Sequence, residues 1–130
     1  GNFITDIILT ATKADCALLN SGTFRSDRIH PKGEFTIRDL LTILPMVDAL
    51  VVIKVTGLQL LQALENGVSK YPVKEGRFPQ IAGISFGFDP THPAGKRVGQ
   101  ELVKVQDQYI DPDKFYHLAT KEYLALGKDG

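Results

Sequence analysis

The stretch that most restricts how this chain can fold is "LVVIKVTGLQLLQALENG", residues 50–67. Val51, Val52, Ile53 and Val55 each carry two heavy atoms on Cβ, which limits χ1 and suits a pleated strand better than a helix. The pattern then changes within two residues. Thr56 is a good helix cap, and behind it Leu58, Leu61, Leu64 and Val68 recur at the three- and four-residue spacing of one helix face, over "GLQLLQALENGVSKY". A strong strand that runs straight into an amphipathic helix has to bury both apolar faces in one layered core.

The rest of the chain reads around that unit. Phe3, Ile4, Ile7, Ile8 and Ala11 sit at helical spacing, which predicts a helix over Asn2–Lys13. "DCALLN" is short and apolar and predicts a buried strand. "SGTFRSDRIHPKG" reads as loop, punctuated by Gly22, Pro31 and Gly33. "EFT" is compatible with a short strand, and Thr36 caps an expected helix, "IRDLLTIL", that Pro45 ends. "GRFPQIAGISFGFDP" predicts one or two strands with a break near Ala82-Gly83. Val98, Leu102, Val103 and Val105 predict a strand pair or ribbon, and "FYHLATKEYLAL" opens as a strand. Strands and helices are mixed without strict alternation. The expectation is therefore an α+β fold, a mixed β-sheet core with helices packed on it, and not a regular doubly wound one. The 130 residues fit a single domain, 1–130. The opening "GNFITDIIL" is already in helical pattern and the last residues are "LGKDG", which reads as a domain excised from a larger protein.

Composition narrows the partners. Lys plus Arg equals Asp plus Glu, 15 of each, so bulk charge gives no grip on nucleic acid or on a membrane surface. No apolar run approaches the ~18 residues of a membrane span. A metal site is not spelled out: His30, His92 and His117 share no i, i+4 face and there is no cysteine pair. The lone cysteine, Cys16, lies in an apolar strand with no base nearby in sequence, which reads as a small core residue. There is no G-x-S-x-G elbow, and "GKDG" lacks the spacer of a phosphate loop.

Two segments carry recognition chemistry instead. In "LLNSGTFRSDRI" an apolar run stops at Asn20, Gly22 allows close backbone approach, and Arg25 offers a planar fork for phosphate or carboxylate. A plain surface turn needs the glycine and none of the rest. In "KEYLALGKDG", Tyr123 offers a flat face for stacking and Asp129 an acceptor for hydroxyl groups.

These segments together resemble the C-terminal domain of the 5'-nucleotidase family. "GNFITD" is similar to its Gly-Asn…Asp opening, "NSGTFR" to its Asn-x-Gly-x-x-Arg loop, and "FTIRDLLTILPMVDALVVIKVTGLQLLQALE" to its central block. "FPQIAGISFGFDP" and "YLALGKDG" follow in the family's order. The resemblance implies a two-domain parent. In such a parent an N-terminal metallophosphoesterase domain with two divalent metal ions hydrolyses a nucleotide or related phosphate ester, and this domain binds the substrate. It implies no cofactor within this fragment, which is then inactive by itself, and an extracellular, periplasmic or surface-anchored setting. By motif, Arg25 would contact phosphate, Asn20 and Gly22 would line the pocket, Tyr123 would stack on the base, and Asp129 would hold the ribose hydroxyls. Gly83 would bring backbone close to the ligand.

The match departs from the family at "LPMVD", where Leu-Pro-Phe-x-Asn is usual. Met46 replaces the second stacking ring, and a polarizable thioether covers a ring face while orienting it less strictly. Asp48 replaces an amide, and an ionised carboxylate accepts hydrogen bonds without donating any. Both changes act on base preference. They widen the expected substrates to other nucleotides, cyclic phosphodiesters, nucleotide sugars or non-nucleotide phosphate esters. They also keep open an alternative, a non-catalytic ligand-binding or interaction module that retains the fold.

Overall fold

The computed structural model describes residues 2–24, 32–34, 36, 38 and 49–130. Helix α1 spans Asn2–Thr12 and ends where Lys13 turns into the left-handed region (φ 54°). Strand β1 (Cys16–Asn20) follows, then a single 3₁₀ turn at Ser21–Thr23. Strand β2 (Leu50–Thr56) leads directly into helix α2 (Gly57–Val68). The remaining elements are β3 (Pro79–Ala82), β4 (Ile84–Phe86), β5 (Val103–Val105), β6 (Gln108–Tyr109), β7 (Phe115–Lys121) and the single-turn helix α3 (Glu122–Ala125).

The larger sheet has the order β2-β7-β1-β3, and β4-β5-β6 form a second, antiparallel sheet. The larger one is mixed: β7 runs antiparallel to β2 and parallel to β1, with Cys16 opposite Leu118 and Ala17 opposite Ala119. β1 runs antiparallel to β3, Ala17 facing Ala82. Alternation along β1 sorts its side chains. Ala17 and Leu19 pack with Ile8 of α1 on one face. Cys16 and Leu18 pack on the other face, toward Leu60, Leu64 and Leu118. This is the expected α+β arrangement, and the break expected near Gly83 is the point where the chain leaves one sheet for the other.

Two expectations are corrected. The buried face of α2 is Gly57, Leu60, Leu64, Gly67 and Val68, whereas Leu58 is 53% exposed and Leu61 only partly buried. The cause is at the first residue: a Cβ on Gly57 would lie 2.0 Å from the carbonyl oxygen of Asp111, so Gly57 faces inward and sets the phase of everything after it. The cap itself is as expected. Thr56 Oγ1 accepts from the Gln59 N–H (3.2 Å) and Gln59 Oε1 accepts from the Thr56 N–H (2.9 Å), and the helix ends at Val68, short of Tyr71. In the ribbon expected over residues 98–105, Val98 and Leu102 lie outside the strand. Leu102 closes a 3₁₀ turn, Gln100–Leu102, and only Val103–Val105 pairs. Of the expected strand at "EFT" only Glu34 and Thr36 are among the described residues, and of the helix expected after Thr36 only Arg38, which is helical.

Candidate functional site

Asn20 closes β1 on the same face as Leu18. The strand's period of two therefore turns its side chain toward the groove between the sheet and α2. It is only 6% exposed, so its amide has to find partners. Both are supplied. Thr23 Oγ1 donates to Asn20 Oδ1 (2.6 Å), and Asn20 Nδ2 donates to Asp129 Oδ2 (2.6 Å) across 109 residues of sequence. With the amide oxygen occupied by a hydroxyl donor, the amide nitrogen is the group that faces the carboxylate.

Asp129 arrives by a tight path. β7 delivers the chain beside β1 in parallel, so both strands end at the same side of the sheet. α3 then makes one turn, closed by the Leu126 and Gly127 N–H groups donating to the Glu122 and Leu124 carbonyls. Gly127 (φ 84°), Asp129 (φ 62°) and Gly130 (φ 87°) are all left-handed, which folds the loop back onto β1. On the far side of the loop, Asn66 of α2 donates from Nδ2 to the Asp129 main-chain carbonyl (2.8 Å) and accepts at Oδ1 from Arg77 Nη1 (3.2 Å). Arg77 Nε is buried and makes no hydrogen bond among the described residues.

These residues border a cavity of about 620 Å³. Leu18, Ile53 and Val55 form its apolar floor, and Asn20, Asn66 and Asp129 line it with Lys54, Arg77 and Lys128. Two cations, Arg77 and Lys128, stand against one carboxylate among the described lining, a field that favours anionic ligands, whereas the Lys54 ammonium lies on the opposite face of β2, 4.4 Å from the Phe115 ring centroid. Asp129 presents one carboxylate oxygen to Asn20, and its Oδ1 makes no hydrogen bond among the described residues.

The other expected site residues fall as follows. Tyr123 opens α3 at 39% exposure, with the Lys121 ammonium 4.8 Å from its ring centroid. Its carbonyl accepts from the Lys128 N–H (3.3 Å), so it belongs to the same loop as Asp129. Gly22 sits two residues beyond Asn20, where its N–H donates to the Gly76 carbonyl (2.9 Å). It borders a separate, more open groove with Tyr71 and Phe78. Gly83 is not brought to this end of the sheet. A Cβ there would lie 2.7 Å from the Asp15 carbonyl oxygen, beside the start of β1, whereas Asn20 closes its end. Its lack of a side chain serves that crossing and the left-handed turn (φ 72°) between β3 and β4. Arg25, Met46 and Asp48 lie outside the described residues. Thr23, Asn66 and Arg77 were not anticipated: polar residues of a turn, a helix and a loop carry no motif that separates them from solvent-facing neighbours.

Other chemistry does not assemble. Cys16 is fully buried, and burial, with the Asp15 carboxylate second, pushes its thiol up to about 12, the opposite of an activated nucleophile. No group of three or more His, Cys, Asp or Glu among the described residues stands where it could hold a metal ion. No helix among them is long and apolar enough to cross a membrane.

Comparison with known proteins gives a consistent result. The family model described as "5'-nucleotidase, C-terminal domain" matches residues 1–130. The trifunctional nucleotide phosphoesterase protein YfkN of Bacillus subtilis is 34% identical over 139 residues, covering 100% of this chain and 9% of its own length. The NAD 5'-nucleotidase of Haemophilus influenzae is 36% identical over 136 residues, covering 98% of this chain and 22% of its own. The crystal structure of a 5'-nucleotidase precursor from Thermus thermophilus superposes with a TM-score of 0.90 at 36% identity, over 99% of this chain and 26% of that one. The chain thus spans about a quarter or less of each of these relatives.

Proposed function

The chain belongs to the 5'-nucleotidase C-terminal domain family, and from that premise we propose that it is the substrate-binding part of a longer metallophosphoesterase. It takes up the nucleoside end of a nucleotide, or of a closely related phosphate ester. The hydrolysis belongs to an N-terminal metallophosphoesterase domain with two divalent metal ions, which clamp phosphoryl oxygens and supply a hydroxide when bound. The names of the Bacillus and Haemophilus relatives, a nucleotide phosphoesterase and an NAD 5'-nucleotidase, support nucleotides as the substrate class.

One observation carries the reading: Asn20 and Asp129, remote in sequence, meet at 2.6 Å on the border of a cavity that Arg77 and Lys128 also line. Asn20 holds one oxygen of the Asp129 carboxylate, and the other is left as an acceptor for the hydroxyl groups of a ribose. Such a bond to an ionised acceptor is about twice as strong as one between neutral groups. Lys128 and Arg77 offset the negative charge of a phosphate ester. Arg25 grips the phosphate, Tyr123 and Met46 cover the two faces of the base, and Asp48 meets its edge. In this division of labour the domain binds and orients, which is worth rate only once the reacting bond is placed against the metals.

The test is Asp129→Ala in the longer protein, assayed with adenosine 5'-monophosphate. KM rises by about 10- to 100-fold, the loss of one or two charge-assisted hydrogen bonds, and bound metal, measured by elemental analysis, stays at the wild-type level. Unchanged KM overturns the reading.

A further inference from the structure

We propose that Asn66 is a positioning residue for the ligand loop: from helix α2 it sets where the Asp129 carboxylate points. This role rests on the reading of Asp129 as a ligand contact and goes beyond it by naming what holds that contact in place.

Backbone conformation gives the first reason. Three of the four residues 127–130 have left-handed φ, and Asp129 is the one among them with a side chain. A loop of that kind has several accessible conformations and needs outside contacts to select one. Two asparagines supply them from opposite sides. Asn20 donates to the side chain (2.6 Å) and Asn66 to the main-chain carbonyl (2.8 Å). Each amide is oriented by a donor on its oxygen, Thr23 Oγ1 for Asn20 and Arg77 Nη1 for Asn66. A flip of either amide would put oxygen against oxygen at Asp129, and for Asn66 it would also put nitrogen against the Arg77 guanidinium, which only donates.

Asn66 is the firmer of the two anchors. It stands on α2 between Leu64 and Val68, both 0% exposed, so its Cα cannot shift without moving the core. The next residue of the loop also closes on it: a Cβ on Gly130 would lie 2.5 Å from Asn66 Oδ1. Arg77, whose Nε is buried with no partner, makes its only side-chain hydrogen bond among the described residues to this amide. The loop is thus bolted to the helix at Asp129 itself.

Removing that bolt leaves the ligand to select one loop conformation from several. Apparent affinity then falls by the fraction of the population that is competent. The chemical step is untouched, because no reacting group moves.

The experiment uses Asn66→Asp in the longer protein with adenosine 5'-monophosphate as the probe. The substitution is isosteric and keeps the oxygen that Arg77 binds, but it sets a carboxylate oxygen against the Asp129 carbonyl. KM rises about tenfold while kcat stays within about twofold, and amide hydrogen exchange at residues 127–130 speeds up. Asn66→Ala, which removes the donor without adding charge, shifts KM in the same direction. Unchanged KM in both variants, with Asp129→Ala still raising it, overturns the inference and spares the proposed function. Unchanged KM in Asp129→Ala overturns both. A fall in kcat with KM unchanged also overturns the positioning role.

Discussion

At the scale of single residues, Cys16 and Asn20 show what burial does to two polar groups four positions apart on one strand. Asn20 is buried with both ends of its amide satisfied, so its desolvation is offset and its orientation becomes information. Cys16 is buried among apolar neighbours, and its thiol is held protonated far above its ordinary value near 9.0, up to about 12. The sign of the linkage follows. Below the unfolded value both states keep the proton. Between the two values only the unfolded chain loses it, so unfolding releases a proton and stability falls as pH rises toward 12. The urea midpoint of the wild type therefore drops more between about pH 8 and about pH 10.5 than that of Cys16→Ala, measured by circular dichroism. The inert thiol was legible from an apolar strand without a base. Asn20 and Asp129 were legible as members of recognisable motifs. Asn66 was not, because nothing distinguishes a helical Asn that ties a distant loop from one that faces water. Only the fold brings Asp129 to it.

At the scale of elements, the strand-to-helix unit at residues 50–68 was legible because β-branched residues, a capping Thr and a leucine period all agree. Its helix phase was not. Counting leucines gives two overlapping faces on α2, and the choice between them is made by Gly57 against the Asp111 carbonyl, a contact with a segment 54 positions later. The two variants that separate these phases are Gly57→Ala and Leu58→Ala. The first pushes a methyl group into a backbone carbonyl and costs about 3 kcal/mol. The second removes an exposed side chain and costs less than about 1 kcal/mol. Urea unfolding of both checks the order, and the reverse order would mean that Leu58 faces the core. The hairpin between β5 and β6 escaped notice for a related reason. Its two turn residues, Gln106 (φ 51°) and Asp107 (φ 66°), adopt the left-handed conformations that Asn-Gly usually announces, with neither an Asn nor a Gly present.

At the scale of the molecule, the mixed sheet joins segments that are far apart in the chain. β7 is the central link: it pairs β2 through seven residue pairs and β1 through two more, with β1 a hundred positions earlier. Topology of that kind is invisible to local pattern, which is why the elements could be read from sequence while their order in the sheet could not. The slow-exchanging core is expected there. By hydrogen exchange, the amides of Leu118 and Ala119 in β7 exchange only through global opening, whereas Gln108 and Tyr109 at the edge of the small sheet exchange through local opening and far faster. Equal rates would mean that the two sheets open as one unit.

The left-handed stretch after α3 has a consequence for how such a protein can be lost. The strands are complete by Lys121, and the loop that follows bears on them through one side-chain bond, Asp129 to the buried Asn20 amide. A proteolytic cut at this loop would leave every strand pair intact while stripping the buried amide of its carboxylate.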